Sequence, residues 1–146
     1  MALYGDTSGR LTDHEIGGDQ NLTLDDHVGG TAYGDADEMA DQAQGGNDTL
    51  RGGFEATNNL FGDANDMSDN SRGGDDTLGA AAAGVNRATN FVYGDAYTMS
   101  DDAGGGDDTL RGGSDNAINF LYGDAYAMSD NTRGGNDTLS GLPRRR

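Results

Sequence analysis

The chain has 146 residues, with 26 acidic residues against nine Arg and no Lys, a formal net charge of −17 and an apolar share of only 33%. That share is well below the roughly 45–50% usual for globular domains, so a single large hydrophobic core is excluded, and the acidity excludes nucleic acid as a partner. The absence of Cys rules out disulfides and thiolate metal sites, and no apolar run reaches signal-peptide or transmembrane length, so neither a cleaved leader within this stretch nor membrane insertion is expected.

Read from its start, the chain repeats itself. A worn copy begins at Tyr4, and in register with it stand YGDADEMADQAQGGNDTL from Tyr33, FGDANDMSDNSRGGDDTL from Phe61, YGDAYTMSDDAGGGDDTL from Tyr93 and YGDAYAMSDNTRGGNDTL from Tyr122. The paired glycines begin at Gly17, Gly45, Gly73, Gly105 and Gly134, in steps of 28, 28, 32 and 29 residues. A period in this range means a stacked solenoid in which each repeat buries its apolar residues against its neighbours.

Three apolar columns recur in chain order, and no helical stripe accompanies them. Leu3, Ala32, Leu60, Val92 and Leu121 precede the Gly-Asp step; Leu11, Met39, Met67, Met99 and Met128 follow it; Leu22, Leu50, Leu78, Leu110 and Leu139 close each copy. With 26 Gly and one Pro, these residues read as short strands joined by tight turns, the Met column forming a third short wall. The expected fold is all-β, a parallel β-roll or β-solenoid of about five coils over residues 1–143, with Arg144–Arg146 as a basic tail. The run Ala80–Ala83 reads as a local insertion that lengthens one coil to 32 residues. Side chains alternate along a strand, so Tyr4, Tyr33, Phe61, Tyr93 and Tyr122 should point outward, as should Phe91 and Phe120. Those rings are expected to cover one another, with carbohydrate or protein binding as the sharper alternative. Thr49, Thr77, Thr109 and Thr138 form an outward column that Arg51 and Arg111 interrupt on the neighbouring one.

The acids are patterned too. Only Glu15, Glu38 and Glu55 among them are Glu, and within each intact copy three Asp recur as D-x5-D-x6-D. These are Asp35, Asp41, Asp48; Asp63, Asp69, Asp76; Asp95, Asp101, Asp108; and Asp124, Asp130, Asp137. Equivalent residues of successive coils lie about 4.8 Å apart, so each column would be a line of like charges unless a cation lay between coils. Calcium suits such a site, because it takes six to eight oxygens in tolerant geometry and accepts the carbonyls of a glycine turn. Softer metals lack ligands: the only imidazoles are His14 and His27, both in the degraded first copy and read as surface residues. Turn capping is the plain alternative for the Asp columns, since Asp favours turns without any metal. No nucleophile, base and orienting group recurs, so an enzyme is not expected.

At GGNDTL the sequence resembles the RTX, or hemolysin-type, calcium-binding repeat, whose nonapeptide G-G-x-G-x-D-x-U-x binds calcium in a parallel β-roll. Gly46 to Leu50 take positions four to eight of that nonapeptide, as do Gly74 to Leu78, Gly106 to Leu110 and Gly135 to Leu139. The resemblance implies Asp48, Asp76, Asp108 and Asp137 as ligands, together with carbonyls of the turns at Gly46, Gly74, Gly106 and Gly135. It does not extend to Asp41, Asp69, Asp101 and Asp130, which lie in an inserted segment and stand on spacing alone. In the opposite half-coil the ligand position falls on Asn58, Asn90 and Asn119, which suggests an uncharged Asn ladder. In the first copy Gln20 replaces the Asp, so that site should be lost or rely on Asp19. The resemblance implies a bacterial, extracellular module exported by type I machinery, disordered without calcium and folded on binding one or more ions per repeat. The alternative is a self-assembling or adhesive solenoid, joined head to tail through its ends or binding protein or carbohydrate through its aromatic face.

Overall fold

The computed structural model describes residues 1–80, 87–113 and 116–141. Within them the chain winds through five coils of three strands each, and no helix is present. The first coil holds β1 (Ala2–Tyr4), β2 (Arg10–Leu11) and β3 (Asn21–Thr23); the second β4 (Gly30–Tyr33), β5 (Glu38–Met39) and β6 (Thr49–Arg51). The third holds β7 (Thr57–Phe61), β8 (Ala64–Met67) and β9 (Thr77–Gly79), and the fourth β10 (Thr89–Tyr93), β11 (Ala96–Met99) and β12 (Thr109–Arg111). The fifth holds β13 (Ile118–Tyr122), β14 (Ala127–Met128) and β15 (Thr138–Ser140).

Equivalent strands pair in parallel to give three five-stranded sheets, ordered β1-β4-β7-β10-β13, β2-β5-β8-β11-β14 and β3-β6-β9-β12-β15. The architecture is a β-solenoid of about five turns, as the repeats predict, with the Met segment supplying a full third sheet. Register follows the repeat, pairing Leu3, Ala32, Leu60, Val92 and Leu121 in one sheet and Leu22, Leu50, Leu78, Leu110 and Leu139 in another. A slip of one residue would turn each of these columns to solvent, so the apolar pattern fixes the stacking. The insertion expected at Ala80–Ala83 lies largely outside the described residues, as does the tail at Arg144–Arg146.

The interior is divided in two. One core gathers Leu24, Ala32, Leu50, Leu60, Leu78, Val92 and Leu110 between the first and third sheets. The other gathers Leu11, Met39, Met67 and Met99 with the alanines at 36, 43, 64, 96 and 103. Each buried Leu or Met contributes about 1.5–3 kcal/mol relative to an exposed one. Small alanines let the inserted lobe close on itself, and the chain enters and leaves that lobe through a neck at Asp35 and Gly46, where the Gly46 N–H donates to both Asp35 carboxylate oxygens.

Flanking the first of these cores, Tyr4, Tyr33, Phe61, Tyr93 and Tyr122 stack in one continuous line with ring centroids 4.7–5.0 Å apart, and Phe61 and Tyr93 within it are buried. Tyr97 and Tyr126 close edge-on over the last two of these rings. The aromatic column therefore does cover itself, leaving Tyr97 and Tyr126 as its exposed members. At the far corner Asn58 donates to Asn90 and Asn90 to Asn119, each at 2.8 Å, while Asn58 also exchanges hydrogen bonds with the main chain of Gly53. That uncharged ladder satisfies its own amides.

Candidate metal centre

The neck carries two columns of acids. Asp35, Asp63, Asp95 and Asp124 stand where the chain enters the inserted lobe, and Asp48, Asp76, Asp108 and Asp137 where it leaves. The first six, from Asp35 and Asp48 through Asp95 and Asp108, are at most 2% exposed, and Asp124 and Asp137 are half-buried in the last coil.

Each entry-side Asp accepts the N–H of the second glycine of its own coil's pair: Gly74 donates to Asp63, Gly106 to Asp95 and Gly135 to Asp124, at 2.8, 2.8 and 2.6 Å. Each exit-side Asp accepts the main-chain N–H of its equivalent one coil earlier, Asp48 to Asp76 and Asp76 to Asp108 at 2.6 and 2.8 Å. These bonds use Oδ1. The Oδ2 atoms of Asp48, Asp63, Asp76, Asp95 and Asp108 are buried and have no hydrogen-bond partner.

Glycine is required at the neck for space. A Cβ on Gly62 would lie 1.7 Å from the Gly94 carbonyl oxygen and 2.0 Å from Asp76 Oδ2, so the carboxylate occupies the volume a side chain would take. The Gly62 carbonyl in turn lies 1.7 Å from the Cβ position of Gly34, and the Gly46 carbonyl 1.7 Å from that of Gly74, so carbonyl oxygens line both sides of the stack. Among the described residues none of these carbonyls accepts a main-chain N–H.

The electrostatics follow from burial among like charges. Desolvation, then the Asp48 charge, pushes Asp35 up to about 8; desolvation, then the neighbouring acids Asp108, Asp48 and Asp95, pushes Asp76 up to about 9 against a main-chain hydrogen bond that opposes it. The same desolvation pushes Asp48 up to about 6 and Asp108 up to about 7. Asp63 and Asp95 rise well above the carboxylate range, again through burial first and facing acids second. Two carboxylates about 5 Å apart repel by about 3 kcal/mol at an effective dielectric near 20, and each ionised group adds several kcal/mol of desolvation. Among the described residues no ion pair involves these acids: the ion pairs present, Arg10 with Glu38 and His27 with Glu55, are exposed.

Compared with protein families, curated proteins and solved structures, the chain matches none.

The unpartnered carboxylate oxygens and the carbonyls of the glycine turns are hard oxygen donors brought close together where no side chain intervenes, which is the donor chemistry a hard cation takes. The described residues hold no ready-made cluster of three or more acidic or histidine side chains, so carboxylates supply only part of any shell and main-chain carbonyls must supply the rest.

The middle column stands elsewhere. Asp41, Asp69, Asp101 and Asp130 sit on the turn after the Met strand, all with φ between 58° and 60°. Asp tolerates this left-handed conformation better than most residues. Their carboxylates take local donors, Ser100 to Asp101 at 3.1 Å, Ser129 to Asp130 at 3.0 Å and the Asp41 N–H to Asp69 at 3.3 Å. They are turn formers on the surface, and the structure does not bring them to the neck. His14 and His27 are both exposed, as expected.

Proposed function

We propose that this chain is a calcium-binding structural repeat module whose solenoid forms when calcium fills the neck. The observation that carries this reading is the set of five buried Oδ2 atoms, on Asp48, Asp63, Asp76, Asp95 and Asp108, that no group of the protein satisfies. Buried polar atoms are nearly always paired, and a buried carboxylate with a free oxygen facing another acid needs either a proton or a cation. Asp35, Asp63, Asp95 and Asp124 on one side and Asp48, Asp76, Asp108 and Asp137 on the other would hold the ions, helped by the glycine carbonyls of both turns. The bound ions supply positive charge, which removes the repulsion between the columns.

A ligand that binds only the folded state stabilises it by mass action. A chain of charge −17 would thus stay open where calcium is scarce and become a rigid solenoid where it is abundant. That behaviour suits a secreted module, and the RTX-like pattern at GGNDTL supports a bacterial, extracellular setting. The columns repeat without a reactive group among them, which favours a structural role over catalysis.

Far-ultraviolet circular dichroism in chelator and through a calcium titration, with magnesium as control, tests the reading. The expected result is a coil spectrum that converts to strand with calcium and not with magnesium. A strand spectrum already complete in chelator at neutral pH would overturn it.

A further inference from the structure

The first coil solves the problem of the neck differently. At the position of Asp48, Asp76, Asp108 and Asp137 it carries Gln20, in the same register, and the Gln20 N–H donates to Asp48 Oδ1 at 2.6 Å as the equivalent residues of later coils do. Its side chain then crosses the neck: Nε2 donates to Asp6 Oδ1 at 2.9 Å, while Asp6 Oδ2 takes the Gly18 N–H at 2.8 Å. Asp6, which is exposed, is thereby satisfied on both oxygens, as Asp35 is by the Gly46 N–H, whereas Asp63 and Asp95 each keep a free Oδ2; the Gln20 Oε1 is itself buried without a partner, but it carries no charge. Asp19, the other acid near this site, is exposed and accepts the Asn47 N–H instead.

We propose that the Gln20 carboxamide is a built-in substitute for the cation, so that the first coil closes without an ion and Gln20 sets where the ion column stops. This rests on the calcium reading of the neck. All five coils place an acid on the entry side, and among the described residues only the coil lacking an exit-side acid joins the two sides by a direct side-chain hydrogen bond. A neutral amide offers a donor to Asp6 at no charge, whereas an Asp at this place would recreate a facing pair of carboxylates. The device fixes ion number through a single side chain.

Calcium counted by titration calorimetry and native mass spectrometry on the wild type and Gln20→Asp decides the matter. Gln20→Asp should bind one more ion per chain than the wild type. An equal count in a folded Gln20→Asp overturns this inference and leaves the calcium reading intact, whereas a wild type that binds no calcium overturns both. Should Gln20→Asp fail to fold in calcium, Asp48→Gln reads the same point in reverse. One ion fewer, with hydrogen-exchange protection of the Gly46 N–H retained in calcium, supports the inference; an unchanged count or loss of that protection overturns it.

Discussion

Asp63 and Asp76 belong to the same coil, one where the chain enters the inserted lobe and one where it leaves, and each keeps its Oδ2 buried without a donor. Among the charges acting on Asp63, Asp76 is the largest, so the two columns are energetically joined across the neck. Where the inserted lobe joins the rest of this coil, the chain thus brings together two groups that repel when both are ionised.

Replacing one member by an amide should therefore act in opposite directions with and without calcium. Asp76→Asn removes a charge and supplies a donor, which in chelator should stabilise the fold by about 1–3 kcal/mol and restore part of the strand signal. In saturating calcium the same change removes a ligand and should lower the melting temperature and the ion count. Circular dichroism melts of wild type and variant in both conditions check this. A variant that is weaker in both would mean that Asp76 acts only through packing.

The pH dependence without metal has a definite sign. Asp48, Asp108, Asp35 and Asp76 are pushed up to about 6, 7, 8 and 9 in the folded chain, chiefly by desolvation. Groups whose folded pKa is raised take up protons on folding. Their stabilising contribution is full below the ordinary carboxylate value near 4 and is lost as pH rises through the folded values. In chelator the solenoid should hold at about pH 5 and open progressively between about pH 6 and 9. Strand signal against pH in chelator measures this, and in saturating calcium the loss should be suppressed.

Two glycines of neighbouring coils should differ sharply. Gly62→Ala puts a methyl group 1.7 Å from a carbonyl oxygen and 2.0 Å from Asp76 Oδ2, with backbone on one side that cannot yield. The expected cost is about 3 kcal/mol or more, together with loss of an ion. Gly104→Ala meets nothing within 4 Å and should change stability by no more than about 0.5 kcal/mol. Urea denaturation in calcium compares the two.

The strand columns were legible because a solenoid turns sequence period into spatial register: Leu60 lies beside Val92 and Leu78 beside Leu110, as their repeat positions predict. The same property hid the difference between the Asp columns. In a stacked coil every residue recurs at the coil pitch, so Asp69 and Asp76 are equally periodic although one shapes an exposed turn and the other is buried. The local signal that separates them is glycine: Asp63 follows Gly62 and Asp76 lies two residues beyond Gly74, whereas Asp69 follows Ser68. A carboxylate can be buried against backbone only where no Cβ fills the space. The second core was also under-read, because Ala36, Ala64 and Ala96 are weak apolar signals until the Met column is seen to need small partners.

The Asn ladder gives a comparison in which charge plays no part. Asn90 is fully buried, accepts from Asn58 and donates to Asn119, both at 2.8 Å. Asn90→Ala leaves a donor on Asn58 and an acceptor on Asn119 without their partner and opens a small cavity, which together should cost about 2–4 kcal/mol. Because the ladder holds no carboxylate, the ion count should stay at the wild-type value, unlike that of Asp76→Asn. Urea denaturation in calcium combined with native mass spectrometry separates the two effects. Loss of an ion in Asn90→Ala would show that the two corners of the coil are coupled through the core between them.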